Sequence, residues 1–179
     1  MEACSNIKSK DYNSFIRIIE EYLPGNSENQ IRKMYKKHKN TFVGYYLDET
    51  LIGICYGWPR KEEAVKEHSF SIAGIAIIHP YNAQGRGAKL ITYFEQKVIE
   101  MGYDTISVGS ADGYVEKFYL KNGYIPTEYK VLREGKETYV HPISSFKDYQ
   151  DLNKDEVIRK VGGYHGFIVF YKKCCQKHS

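Results

Sequence analysis

A chain of 179 residues with 42% apolar and 27% charged side chains is long enough to bury its own core and too apolar to stay disordered. No apolar run reaches the ~18 residues of a membrane-spanning helix, the N-terminus has no stretch of signal-peptide type, and Cys4, Cys55, Cys174 and Cys175 form neither a CxxC pair nor a zinc spacing. The net charge of +4 suits an anionic ligand without specifying one.

In chain order, the first predicted helix runs from Lys10 to Leu23, with Ser9 as N-cap and Phe15, Ile19 and Tyr22 at helical spacing, and Pro24-Gly25 stops it. Ser27-Glu28-Asn29-Gln30 reads as a capping box that opens a second helix. Its inner face carries Ile31, Met34, Tyr35 and His38. Phe42–Leu47 and Leu51–Tyr56 form a hairpin around Asp48-Glu49-Thr50. A charged loop over Arg60–His68 precedes Phe70–Ile78, whose near-continuous apolarity predicts a strand covered on both faces. Ala88–Met101 is the clearest helix, with Ile91, Phe94, Val98 and Met101 on one side and Gly102 as its stop.

Thr105–Val108 is a short strand. Tyr114–Asn122 is a short helix with Asp112 as N-cap and Gly123 at its end, and Tyr129–Leu132 is extended. The stretch Tyr139–Gly163 carries little pattern beyond a helical turn near Asp155–Val161, and Phe167–Tyr171 is a last strand. The order predicts one mixed α/β domain over residues 1–179. Four free thiols suit a reducing, cytoplasmic setting, with no metal and no membrane partner. Cys55 reads as a core residue, and Cys174 and Cys175 as incidental members of a Lys-rich tail. Lys33, Lys36, Lys37 and Lys39 read as a solvated helix face rather than a nucleic-acid site.

The most informative segment runs from Ile75-Ala76-Ile77-Ile78 through His79-Pro80-Tyr81 and Asn82-Ala83-Gln84-Gly85-Arg86-Gly87-Ala88 to Lys89-Leu90-Ile91. A buried strand leads into a glycine turn, and the turn opens an amphipathic helix. Unpaired N–H groups at a helix start, backed by its dipole, bind anions. Glycine lets the backbone approach phosphate oxygens that a Cβ keeps away, and Arg86 can add a charge-assisted contact. A P-loop is excluded because no Gly-Lys-Ser/Thr follows, and a Rossmann fingerprint because GxGxxG is incomplete.

Strand, Ile-His-Pro, polar residues, Gly-x-Gly, a small residue and an apolar helix together resemble the acetyl-CoA loop of GNAT acetyltransferases. Phe118-Tyr119-Leu120-Lys121-Asn122-Gly123-Tyr124 resembles the FYxKxGF element of the same family. The resemblance covers Lys10 to Leu132. The family loop reads Arg/Gln-x-x-Gly-x-Gly/Ala and fits in two registers. One places Gln84 first and Gly87 fourth, with Lys89 at the small final position. The other places Asn82 first, with Gly85 and Gly87 as the glycines, and aligns the apolar helix face with the family's.

The resemblance implies a GNAT-like, mostly antiparallel sheet with helices on both faces and a splayed central strand pair, Phe70–Ile78 and Thr105–Val108. It implies acetyl-CoA as cosubstrate. The pyrophosphate would lie on Asn82, Ala83, Gln84, Gly85, Arg86, Gly87 and Ala88, the pantetheine amides on the backbone of Ile75, Ala76, Ile77 and Ile78, and Asn122 would add a contact. One of those strand N–H groups would stabilise the oxyanion. Tyr119 stands at the family's general-acid position and would protonate the leaving thiolate. The amine attacks the thioester directly; Glu67, His68 and His79 flank the central strand but read as solvated end residues, and the base, a side chain or water, stays unassigned. The acceptor is a small-molecule or peptide amine, bound by Pro24–Ser27, Pro59–His68 and the C-terminal third. A homodimer is compatible with all of this. The rival readings are a catalytically silent acyl-CoA-binding module and a nucleic-acid-binding protein using the Lys33–Lys39 cluster.

Overall fold

Asp48 and Glu49 both take positive φ, 45° and 67°, the twist that a two-residue hairpin turn requires. They join β2 (Phe42–Leu47) to β3 (Thr50–Pro59). A computed structural model describes residues 1–23, 25, 27–59, 69–82, 84–110, 113–134 and 136–174, the last range without the side chains of 136–138. These residues form two compact units, one holding Met1–Ile106 with Cys174 and the other Ser107–Lys173.

In the first unit, β1 (Glu2–Asn6), β2, β3 and β4 (Ser69–Ile77) follow one another as antiparallel neighbours. Side chains alternate across the strands. Phe42, Tyr46, Ile54 and Tyr56 join Phe15, Ile16 and Ile19 of α1 (Tyr12–Tyr22) and Ile31 of α2 (Glu28–Lys37) in one buried cluster. Phe15 meets Phe42 and Tyr56 edge-on at 5.6 and 5.5 Å between ring centroids, a geometry favourable beyond the area it buries. The other face packs α3 (Arg86–Glu100) through Leu90, Ile91, Phe94 and Val98, all fully buried. Phe70 meets Phe94 edge-on at 5.9 Å. Burial of one such ring contributes about 1.5–3 kcal/mol.

The second unit contains most of β5 (Thr105–Ser110), then α4 (Gly113–Lys121), β6 (Ile125–Arg133), β7 (Lys136–Pro142), α5 (Phe146–Asp151), α6 (Lys154–Val161) and β8 (His165–Lys173). β6 pairs antiparallel with both β7 and β8. The fold is thus mixed α/β with mostly antiparallel strands.

Several expectations hold closely. β2 has the predicted bounds, and Ser27 caps α2 by accepting the Gln30 N–H at 3.3 Å. Cys55 is fully buried, and Lys33, Lys36, Lys37 and Lys39 are exposed. Others change. Ser9 caps nothing, because it lies in a short 3-10 turn that delivers the chain into α1 behind Asp11. Met101 is 38% exposed, because α3 ends one residue before it. Cys174 is buried just past the end of β8, and its N–H donates to the Asp104 carbonyl at 2.7 Å. The sequence predicts neither β1 nor β7 nor α5. The Arg60–His68 loop, Asp112 and Cys175 lie outside the described residues. Among those described, no helix is long and apolar enough to cross a membrane.

Candidate functional site

β4 delivers the chain through Ile78-His79-Pro80-Tyr81 to the start of α3. Gly85 is the N-cap, left-handed at φ 75°, and as a glycine it offers no side chain to the first helical N–H groups. A Cβ there would meet nothing within 4 Å, so glycine answers the backbone angle rather than a lack of room. Other L-residues meet that angle at roughly 1 kcal/mol. α3 is 15 residues long with no acidic residue in its first turn, so its positive end is left to an external anion. Those features fit a pyrophosphate. Gly87 and Ala88 lie half-buried in that first turn, and Asn82 is exposed. Ala83 lies outside the described residues.

Arg86 does not reach forward, as the sequence suggests. Its guanidinium turns onto Glu2 of β1, with Nε and Nη2 donating to one carboxylate oxygen at 3.0 and 2.6 Å. Nη1 donates to the Tyr81 carbonyl at 3.1 Å and to Gln84 Oε1 at 2.5 Å. The Tyr45 hydroxyl donates to the other Glu2 oxygen at 2.7 Å. Tyr45 and Arg86, in that order, hold the Glu2 carboxyl down at about 2, against a smaller opposing effect of burial. Burial and the same Glu2 contact push the Tyr45 phenol up to about 12. Lys89, 65% exposed, stands 3.6 Å from Glu2. Nothing in the local pattern marks Glu2, which is 84 positions from its partner.

β4 offers fewer backbone groups than the sequence suggests. Ile78 donates its N–H to the Ile52 carbonyl at 2.9 Å, and Ala76 stands opposite Ile54 in the same register. Backbone groups alternate in direction along a strand. Ala76 and Ile78 therefore face β3, and the N–H and C=O groups of Ile75 and Ile77 point away from it. His79 is exposed, and its backbone N–H donates to the Tyr22 hydroxyl at 3.3 Å. The other two candidate bases, Glu67 and His68, lie outside the described residues.

In the second unit, Tyr119 is a buried residue of α4, its ring 5.6 Å from Tyr124 and 5.7 Å from Phe170. Asn122 is occupied with the end of the helix. Its Nδ2 donates to the Phe118 carbonyl at 2.8 Å, its own carbonyl accepts from Lys172 at 2.9 Å, and Gly123 follows at φ 81°. One turn before Tyr119, the buried Glu116 carboxylate accepts from Tyr149 of α5 at 2.8 Å and pairs with Lys154 of α6. Burial, with Glu116 next, pushes the Tyr149 phenol well above its ordinary value.

Each unit has a concavity of its own. In the first, about 260 Å³ is lined by Ile16, Ile19, Leu23 and Ile31, with Glu20 and Glu28 at the edge. In the second, about 420 Å³ lies between β7, α5 and α6, with Tyr139 and His141 on one wall and Asp151 and Glu156 on another.

Over residues 2–124 the chain matches the family model described as Acetyltransferase (GNAT) family. No curated protein matches it. Solved structures similar to it include Ard1 from Thermoplasma volcanium, at 13% identity and TM-score 0.69, covering 98% of this chain and 99% of that one. Arabidopsis thaliana Naa50 in complex with the bisubstrate analogue CoA-Ac-MVNAL follows at 12% and 0.67, covering 96% and 98%. The ribosomal-protein-S18-alanine N-acetyltransferase from Escherichia coli matches at 10% and 0.63, covering 100% and 99%.

Proposed function

Because the chain belongs to the GNAT acetyltransferase family, and is therefore an acyltransferase, we propose that it moves the acetyl group of acetyl-CoA to a primary amine by direct attack. The observation that carries the reading is the glycine-started, acid-free N-terminus of α3, which follows β4 inside the family-matched segment. Acetyl-CoA supplies an activated thioester. The N–H groups at the start of α3, around Gly85, Arg86, Gly87 and Ala88, hold its pyrophosphate. Ile75 and Ile77 offer the pantetheine amides the backbone groups that β3 does not use, and one such N–H lowers the barrier by meeting charge that develops on the carbonyl oxygen. Tyr119 gives its phenolic proton to the departing sulfur. Residues 1–179 act as one N-acetyltransferase domain.

The acceptor amine must be neutral when it attacks, so an alkylamine of pKa ~10 gives its proton to solvent water on the way in. The apolar floor of Ile16, Ile19 and Ile31, edged by Glu20 and Glu28, suits an amine carried on an apolar body. Glu28 is shared with Arg32 at 2.8 Å, which leaves Glu20 as the better contact. Peptide α-amines head the acceptor panel, since the Naa50 relative holds a peptide bisubstrate analogue.

The test is release of free thiol from acetyl-CoA with peptides, polyamines, aminoglycosides and amino acids as acceptors. Acceptor-dependent thiol release is the expected outcome. Tight CoA binding with no release above the hydrolysis blank for any acceptor would instead identify a silent acyl-CoA-binding module.

A further inference from the structure

The first four residues of α3, Arg86-Gly87-Ala88-Lys89, carry two cations and no acid, an arrangement the helix dipole opposes. Glu2, at the start of β1, pairs with the side chains of both cations and leaves the backbone N–H groups of the helix start to a ligand. We infer that Glu2 is a positioning residue for the cofactor turn, holding Arg86 so that Arg86 in turn fixes Tyr81 and Gln84 before CoA arrives. The inference rests on the CoA reading above.

The links run in sequence from the core outward. Tyr45 is 1% exposed in β2, and its hydroxyl fixes one Glu2 oxygen. The other oxygen takes two guanidinium N–H groups. The far side of the guanidinium holds the Tyr81 carbonyl and the Gln84 side chain, the two ends of the turn before Gly85. The Arg86 side chain is 13% exposed and committed on both sides, so it acts on the ligand through the backbone it braces. A turn held in its binding conformation avoids the ordering cost of association. Lys89, mostly exposed, remains the outward charge. The Glu2 carboxyl, held at about 2, stays ionised at every ordinary assay pH.

The alternative, Arg86 as a direct phosphate ligand, predicts the opposite sign. Removing Glu2 would then free the guanidinium and tighten CoA binding. The experiment titrates CoA calorimetrically into the full-length wild type, Glu2→Gln, Arg86→Met and the double variant, each checked for folding by thermal melt. Glu2→Gln should weaken binding roughly tenfold, as expected for losing a charged hydrogen bond. The double variant should be no weaker than the weaker single. In turnover, KM for acetyl-CoA should rise while kcat and the acceptor KM hold, whereas a folding defect would lower the active fraction and hence kcat.

Wild-type affinity or tighter binding in folded Glu2→Gln overturns the inference, as does strict additivity in the double variant. Failure of the wild type itself to bind CoA overturns the cosubstrate reading instead. If Glu2→Gln does not fold, Tyr45→Phe carries the test, since it keeps the core ring and removes only the anchoring hydroxyl. It should weaken CoA binding in the same direction, and an unchanged Kd sinks the proposal.

Discussion

Replacing Tyr119 by Phe removes one oxygen and leaves the ring packed against Tyr124 and Phe170. A residue that only packs would barely register the change in rate. A general acid contributes typically 10²–10⁴-fold, so Tyr119→Phe should lower the rate of the chemical step by about that factor while CoA affinity stays near wild type. Single-turnover kinetics are the proper measurement, because slow product release would hide part of the loss. A chemical step as fast as wild type in the variant would return Tyr119 to the core. Residue-scale chemistry was legible in the sequence wherever the backbone itself demands a residue type. Gly85 is such a case, since its left-handed φ of 75° favours glycine. The orientation of Arg86 was not legible, because its partner Glu2 is set by strand order and has no local pattern.

At the scale of elements, α4 is clipped to α5 and α6 through one buried carboxylate. Glu116 is 2% exposed, accepts from Tyr149 and pairs with Lys154. Lys154→Met would leave Glu116 with Tyr149 alone of these two partners. Breaking a fully buried pair costs about 3–5 kcal/mol, and Lys154 is one-third exposed, so about 1–3 kcal/mol is expected. In a chain of this size that lowers the melting temperature by several degrees. Glu116→Gln combined with Lys154→Met should lose less than the two single losses added together, because the charge left behind is gone. Additive melting-temperature losses would mean that the three groups are neighbours without coupling. Of these three helices α4 and α6 were read from the sequence and α5 was not. α5 has no buried residue and writes no apolar stripe into the sequence, whereas Val157, Ile158 and Val161 marked α6. β1 was missed for a related reason, since Glu2-Ala3-Cys4-Ser5-Asn6 pairs with β2 through its backbone and has no alternating apolar pattern. α3 and β2 were read almost to their ends, α3 because it buries one regular face and β2 because nearly all of it is buried.

For the whole molecule, the informative quantity is how CoA moves the thermal transition. A ligand that binds only the folded state at ~100 times its Kd adds about 2.7 kcal/mol of stability, so saturating CoA should raise the melting temperature by several degrees. Because the glycine turn lies in the first unit and Tyr119 in the second, the form of the shift carries information as well as its size. If residues 1–179 are one functional domain, calorimetry should show a single transition that moves as a whole. Two transitions, of which only one responds to CoA, would divide the chain into a cofactor-binding unit and a separately folding partner, and the single-domain proposal would fail. Such a division would fall between Ile106 and Ser107, where the chain passes from the first unit to the second. No movement of any transition at millimolar CoA would remove the cosubstrate itself, and with it the roles proposed for the α3 N-terminus, Ile75, Ile77 and Tyr119.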